Sequence, residues 1–308
     1  MTQVSSADAR VTAELSYRAY GLGIQSEIPL PELIAGKSRT DVRITLGRTD
    51  HQMAQGRVVE VVSETDAHMQ VERVARFQVR EGREIIVEPL SDPESPALRM
   101  FLLGQVFAML LHQRGILVLH ASAVAARGGA VLFLGPSGYG KSTSATLLQR
   151  AGFPVAADDV TPIRFDGEAA MLLPSFPQIK LWPATLRALG RDPASLPLLH
   201  PAYDKRAHRF PDGFAEEALP VRRLYVLGKA DVSRIEVMSA GKVVVDLLAQ
   251  SYAVRMRLLG SAEAGRHFKQ CSRLAASVPA RQLLRTEQLD DLGRFSSLLI
   301  RDLGGDGH

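Results

Sequence analysis

Residues 135–143 read Gly-Pro-Ser-Gly-Tyr-Gly-Lys-Ser-Thr, the spacing GxxxxGK[ST] of a loop that wraps phosphate. Each residue type serves that chemistry. Gly135, Gly138 and Gly140 let the backbone fold back so that successive N–H groups turn inward toward anionic oxygens. Lys141 brings a positive charge to the β- and γ-phosphates, and the Ser142 hydroxyl is a ligand for Mg²⁺. A helix starting at the same point aims the positive end of its dipole at the same anion. Gly135, Pro136, Ser137, Gly138, Tyr139, Gly140, Lys141, Ser142 and Thr143 are the expected nucleotide contacts.

A phosphoryl-transfer site also needs acidic groups for the metal and the acceptor. Asp158-Asp159 lies seventeen positions after Lys141, room for one helix and a return strand. On a strand ending there, the two carboxylates point to opposite sides. One is then free to face the nucleotide metal, with Asp159 the expected partner of Ser142, while the other acts as base or structural acceptor. The plainer reading is a turn-forming aspartate pair. His120, at the end of the preceding predicted strand, is either near the phosphates or packed as a strand-end residue. Lys180 in Ile179-Lys-Leu-Trp182, and Lys205 and Arg206 within Lys205-Arg-Ala-His-Arg209, are candidates to hold phosphate or an acidic peptide. Solvated faces are their ordinary alternative.

These groups must be held by ordered elements. Ala130–Leu134 is a buried-type strand leading into the loop, and Ser144–Arg150 continues as a helix stopped at Gly152. Ile116–His120 and Pro154–Ala157 read as flanking strands. Val160–Phe165 and Ala170–Leu173 form a hairpin around Asp166-Gly167. Upstream, alternating runs at Leu15–Tyr20, Val42–Leu46, Arg57–Val62, Phe77–Arg80 and Glu84–Val87 predict a small, mainly antiparallel β region. Ser95-Pro96 opens a helix reaching about Arg114. The expected division is an N-terminal mainly β domain over 1–94 and an α/β phosphate-loop domain over 95–308. Residues 190–220 read as a long irregular connection, the kind that serves as a lid. Strands at Leu224–Leu227 and Ile235–Met238 precede helices at about 241–252, 262–276 and 286–299; residues 1–10 read as a loose tail.

Composition excludes several classes. The chain has 308 residues, 46% hydrophobic and 23% charged, an ordinary globular balance. A net charge of +4 is too mild to call for nucleic acid. Cys271 is the single cysteine, so neither a disulfide framework nor a cysteine metal site is expected. The polar start lacks a signal-peptide core, and Met100–Leu111 is too short to span a bilayer, so no membrane partner and a cytoplasmic location are the expectation.

His120, the loop Gly135–Ser142 and the run Leu147-Leu-Gln-Arg-Ala-Gly-Phe-Pro-Val-Ala-Ala-Asp-Asp159 together resemble the core of bacterial HPr kinase/phosphorylase. That family comprises phosphate-loop serine kinases distantly similar in core to ATP-dependent phosphoenolpyruvate carboxykinase. The resemblance spans about residues 116–165. It implies a kinase core of that type using ATP and Mg²⁺, with Lys141 and Ser142 at the nucleotide and His120 near the phosphates. It also implies Asp158 as the base at the acceptor hydroxyl and Asp159 in support. Members of the family form hexamers, so the resemblance leaves room for a homo-oligomer. Where the family carries a Glu-x-Arg-Gly-Leu-Gly stretch, this chain has Pro177-Gln-Ile-Lys-Leu-Trp-Pro183. The N-terminal Tyr20-Gly-Leu-Gly-Ile-Gln-Ser-Glu-Ile-Pro-Leu-Pro-Glu32 also differs from that family's regulatory domain. The layout is more similar to shorter HPr-kinase-related proteins, some of which tailor lasso peptides by phosphorylating a C-terminal serine of a precursor. The expected function is therefore γ-phosphate transfer to a serine hydroxyl of a peptide or protein. A small-molecule kinase on the same core, or a non-catalytic nucleotide-sensing regulator, are the alternatives.

Overall fold

The computed structural model describes residues 15–51, 53, 58–210, 212–286 and 292–304. The tail read at 1–10, Arg57 and the start of the last predicted helix (287–291) lie outside the described residues. The first sheet comprises β1 (Leu15–Ala19), β2 (Leu22–Ser26), β3 (Ile34–Ala35), β4 (Val42–Leu46), β5 (Val59–Ser63), β6 (Asp66–Val71), β7 (Ala75–Arg80) and β8 (Glu84–Pro89). Its order is β3-β1-β2-β4-β8-β7-β6-β5. Neighbours are antiparallel except β2–β4 and β4–β8, which are parallel. Tyr20-Gly21, the two-residue turn between β1 and β2, and Glu81-Gly82, in the three-residue connection between β7 and β8, have positive φ at both positions, the twist that closes a tight hairpin. Alternation assigns the faces. Ala67, Met69, Phe77, Val79, Ile85 and Val87 enter the core, while His68 and Gln78 point the other way.

Ser95 accepts a hydrogen bond from the Leu98 N–H and Pro96 takes the first helical position, as the sequence predicts. The helix is not continuous, however. α1 (Pro96–Phe101) passes through a π-helical turn at Leu102–Val106 before α2 (Phe107–Gln113). The inserted residue shifts the apolar stripe, so Leu102, Leu103, Val106, Phe107 and Leu110 all bury in one core with the first sheet. It also carries Gly104 to the edge of the site described below.

Downstream lie β9 (Leu117–Ala126), β10 (Gly129–Leu134), α3 (Lys141–Arg150), β11 (Val155–Asp166), β12 (Ala169–Leu172), β13 (Gln178–Leu181) and α4 (Pro183–Ala188). They are followed by β14 (Leu198–His200), β15 (Tyr203–Arg209), β16 (Leu219–Lys229), β17 (Arg234–Val237), α5 (Ala240–Gln250), α6 (Tyr252–Arg255), α7 (Ser261–Ser277), β18 (Ala280–Arg285) and α8 (Leu292–Gly304). The second sheet places β10 between antiparallel β9 and parallel β16, with β11 beyond β9 and β18 beyond β16. A small third sheet runs β13-β15-β14. The chain is a mixed α/β protein of several sheets. Among the described residues, no helix is long and apolar enough to cross a membrane.

Three expectations are corrected. Residues 190–220 are not an irregular connection: β14 and β15 fold onto β13, and β16 begins at Leu219. The charged run Asp204–Arg206 hides that strand because it lies on a small sheet with one wetted face, where polar residues are tolerated. Second, β11 does not end at the aspartates but continues to Asp166, pairing with β9 as far as Ile163 and with β12 from there on. Third, β18 was not visible in the sequence. Its Ala-Arg-Gln-Leu-Leu-Arg lacks alternation because Leu283 and Leu284 are buried on opposite faces between β16 and β17.

Candidate active site around the phosphate-binding loop

All six residues of β10 are buried, and the strand delivers the chain to Gly135 at the head of the loop. Gly135, Gly138 and Gly140 have φ of 142°, 85° and 101°, the region where a side chain is strained. Gly140 precedes α3 directly, and a Cβ there would strike the Arg285 guanidinium. The loop thus curls at the N-terminus of α3 as the sequence requires. Lys141 is 7% exposed and donates to the carbonyls of Gly135 at 2.8 Å and Pro136 at 3.2 Å. Burial lowers its ammonium to about 8, against the opposing pull of Asp159 and Asp158; Lys205 and Arg255 lower it further.

The two aspartates do not diverge as a regular strand would make them. Asp159 has φ of 71° inside β11, and this left-handed residue turns both carboxylates toward Lys180. Asp158 is fully engaged. Its Oδ1 accepts from Ser122 Oγ at 2.5 Å and Ser142 Oγ at 2.8 Å, and its Oδ2 accepts from the Lys180 backbone N–H at 2.8 Å. Asp159 Oδ2 accepts from Lys180 Nζ at 2.6 Å, and its Oδ1 accepts from the Tyr252 hydroxyl at 3.1 Å. His120 Nδ1 stands 2.9 Å from the same Oδ1, without an aligned hydrogen bond among the described residues. Burial alone would raise the Asp159 carboxyl. Lys180, and then His120, outweigh it and hold the group well below the usual carboxylate range. Burial first, and then the Asp159 charge, push Tyr252 well above its ordinary value.

Most of these groups share one pocket of about 250 Å³, lined by loop residues 137, 138 and 140–143 together with His120, both aspartates, Lys180, Lys205 and Arg285. It opens through His120, Asp159, Lys180 and Lys205 into a second cleft of about 610 Å³. Phe101, Gly104, Trp182, Tyr203, Tyr252 and Arg255 are among the residues lining that cleft. Gly104 belongs to the π-turn, and a Cβ at that position would lie 3.9 Å from both Asp159 Oδ2 and Lys180 Nζ. The structure therefore gathers His120, Lys141, Ser142, Thr143, Asp158, Asp159, Lys180 and Lys205, all read from sequence. Tyr139 instead packs beside Lys229, with the ammonium 5.1 Å from its ring. Arg206 is not in the pocket: adjacent to Lys205 on β15, it points away and bonds Asp204 and the Leu196 carbonyl. Asp158, not Asp159, is the carboxylate at Ser142.

Sequence reasoning missed Ser122, Arg285 and Tyr252. Ser122 pairs directly across from Asp158 in the β9–β11 register, a relationship open to anyone who extends both strands. Arg285 ends the unseen β18, and Tyr252 begins α6 behind the Ser251 cap. Neither carries a local signal.

No family model and no curated protein matches the chain. Among solved structures, that of the Hpr(Ser) kinase/phosphatase from Coxiella burnetii is similar at a TM-score of 0.31 and 13% identity, over 62% of this chain and 99% of that one.

Proposed function

We propose that this chain is an ATP-dependent, Mg²⁺-assisted phosphotransferase acting on a serine hydroxyl of a peptide or protein. One observation carries the reading: a glycine-built phosphate cradle and two buried carboxylates meet in a single pocket that opens onto a cleft large enough for an acceptor. Mg²⁺ fits the donors present. Ser142 Oγ and Asp158 Oδ1 are hard oxygen ligands 2.8 Å apart beside the loop, and Ser122 and the Lys180 backbone hold that carboxylate in place. The bound metal would supply charge to the β- and γ-phosphate oxygens.

The contacts favour exchanging the roles read from the sequence. Asp158 serves the metal, and Asp159, which faces the second cleft, orients the acceptor hydroxyl. In the transfer the acceptor oxygen bonds to the γ-phosphorus, the bond to the β–γ bridging oxygen breaks and ADP leaves. The acceptor proton passes to Asp159. With Lys180 against it Asp159 is a weak base, which suffices because a loose phosphoryl transition state depends on positioning more than on proton removal. Loop amides, Lys141 and Arg285 hold the transferring charge.

Lys205 and Arg255 at the second cleft supply cations for an acceptor carboxylate, which supports a C-terminal serine. A panel of serine-ending peptides with free and amidated C-termini, incubated with Mg²⁺ and ATP, tests this by mass spectrometry. Phosphorylation of the free acids alone is expected. Transfer only to metabolites would move the reading to a small-molecule kinase, and binding without any transfer would make the chain a nucleotide sensor.

A further inference from the structure

A second cluster of metal-type donors lies on the first sheet, on the face turned away from α1 and α2. After β4 the chain runs across that face, perpendicular to the strands. Thr49 bonds Glu88 of β8, the Asp50 N–H reaches Gln78 of β7 at 3.4 Å, and the His51 ring comes to 5.0 Å from that of His68 on β6. This crossing segment is why His68 is 1% exposed although it points away from the apolar core.

His68 is buried without a hydrogen-bond partner for either ring nitrogen among the described residues. Leaving such a group unpaired is costly, so its surroundings ask for an explanation. Its Nε2 faces two carboxylates, 3.3 Å from Asp66 Oδ1 and 3.9 Å from Asp50 Oδ1. One donor atom from each of Asp50, Asp66 and His68 lies within 4.8 Å of the other two. Ligands about 2.0–2.1 Å from a tetrahedral Zn²⁺ stand roughly 3.4 Å apart, so these atoms already lie near the edges of such a polyhedron.

The supporting contacts are those a metal site needs. Gln78 Nε2 donates to both oxygens of Asp66, at 3.1 and 3.4 Å, and Arg80 holds Oδ2 of Asp50, leaving Oδ1 toward the imidazole. Such outer partners fix the orientation of ligating carboxylates. The Arg80 charge opposes a cation in part, but the two carboxylates of Asp50 and Asp66 outweigh it. His51, whose Nε2 lies 3.4 Å from Glu60 Oε2 without a hydrogen-bond partner among the described residues, is the next nitrogen donor.

We propose that Asp50, Asp66 and His68 form a divalent-metal site of the zinc class that staples the 47–51 segment across the first sheet. Mixed imidazole and carboxylate donors favour Zn²⁺ over Mg²⁺ or Ca²⁺, which prefer oxygen alone. The site is structural, and by strand alternation it lies on the opposite side of the sheet from the helices that line the second cleft.

The test titrates chelator-treated full-length protein with Zn²⁺ alone, reading stoichiometry by elemental analysis and affinity by calorimetry, with Co²⁺ absorption as a report of geometry. One equivalent per chain, a tetrahedral cobalt spectrum and a raised unfolding midpoint are expected. His68→Ala should abolish binding, and Gln78→Ala should weaken it about tenfold. Should His68→Ala fail to fold, Asp50→Asn at an exposed position decides, with at least tenfold weaker zinc binding and unchanged phosphotransfer. No stoichiometric zinc in the parent, or equal zinc in the parent and Asp50→Asn, would overturn the proposal and leave His68 a buried imidazole packed beside two carboxylates.

Discussion

Lys180 Nζ lies 2.6 Å from Asp159 Oδ2, and the pair is only 12% and 23% exposed. The same residue's backbone N–H binds Asp158, so one lysine fixes both carboxylates at the rim of the phosphate pocket. Removing one partner of a buried pair leaves the other charged and unpaired. Lys180→Met is therefore expected to destabilise the protein by about 3 kcal/mol at neutral pH. The folded-state carboxyl of Asp159 is depressed, so its contribution is present above the ordinary carboxylate range near pH 4 and is lost as pH falls through the lower folded value. Urea unfolding at neutral and acid pH should show the gap between parent and variant closing in acid.

Lys141 gives nucleotide binding a pH dependence. Its ammonium titrates at about 8 in the free protein, and a bound triphosphate favours the charged form. Affinity for ATP should be level below that pH and fall above it, approaching about tenfold per pH unit. Calorimetry in buffers of different ionisation enthalpy should detect proton uptake above pH 8 and little below pH 7.

The two aspartates separate in kinetics. Asp158→Asn should raise the Mg²⁺ requirement of the reaction, because it removes the carboxylate at Ser142. Asp159→Asn should leave ATP binding near the parent value and lower kcat by about 100-fold or more. The reverse pattern in a steady-state series at varied Mg²⁺ would restore the base to Asp158.

Arg285 enters the pocket from β18 behind Gly140. Arg285→Gln should raise KM for ATP about tenfold, the loss of one charge-assisted contact, whereas Arg206→Ala should leave it unchanged. Equal effects of the two variants would remove Arg285 from the phosphate site.

The loop and its two flanking elements were legible because glycine, lysine and hydroxyl residues at fixed spacing admit few other uses. The apolar runs at Ala130–Leu134 and Ile116–His120 declared their strands. The aspartate pair was legible as chemistry but not as geometry: alternation predicts divergence, and only the positive φ of Asp159 aims both carboxylates inward. Likewise the apolar stripe after Pro96 announced a helix but not its π-turn, which depends on packing against the first sheet. Arg285 and Tyr252 reach the site through tertiary placement of short elements, and no local pattern encodes that.

On the proposed function, the glycine loop and the paired aspartates form one nucleotide site. Calorimetric titration of Mg²⁺-ATP into the parent and into Lys141→Ala tests it most directly. One nucleotide per chain is expected, dependent on Mg²⁺, with binding lost in the variant. No heat in the parent, or the same isotherm from both proteins, would contradict it.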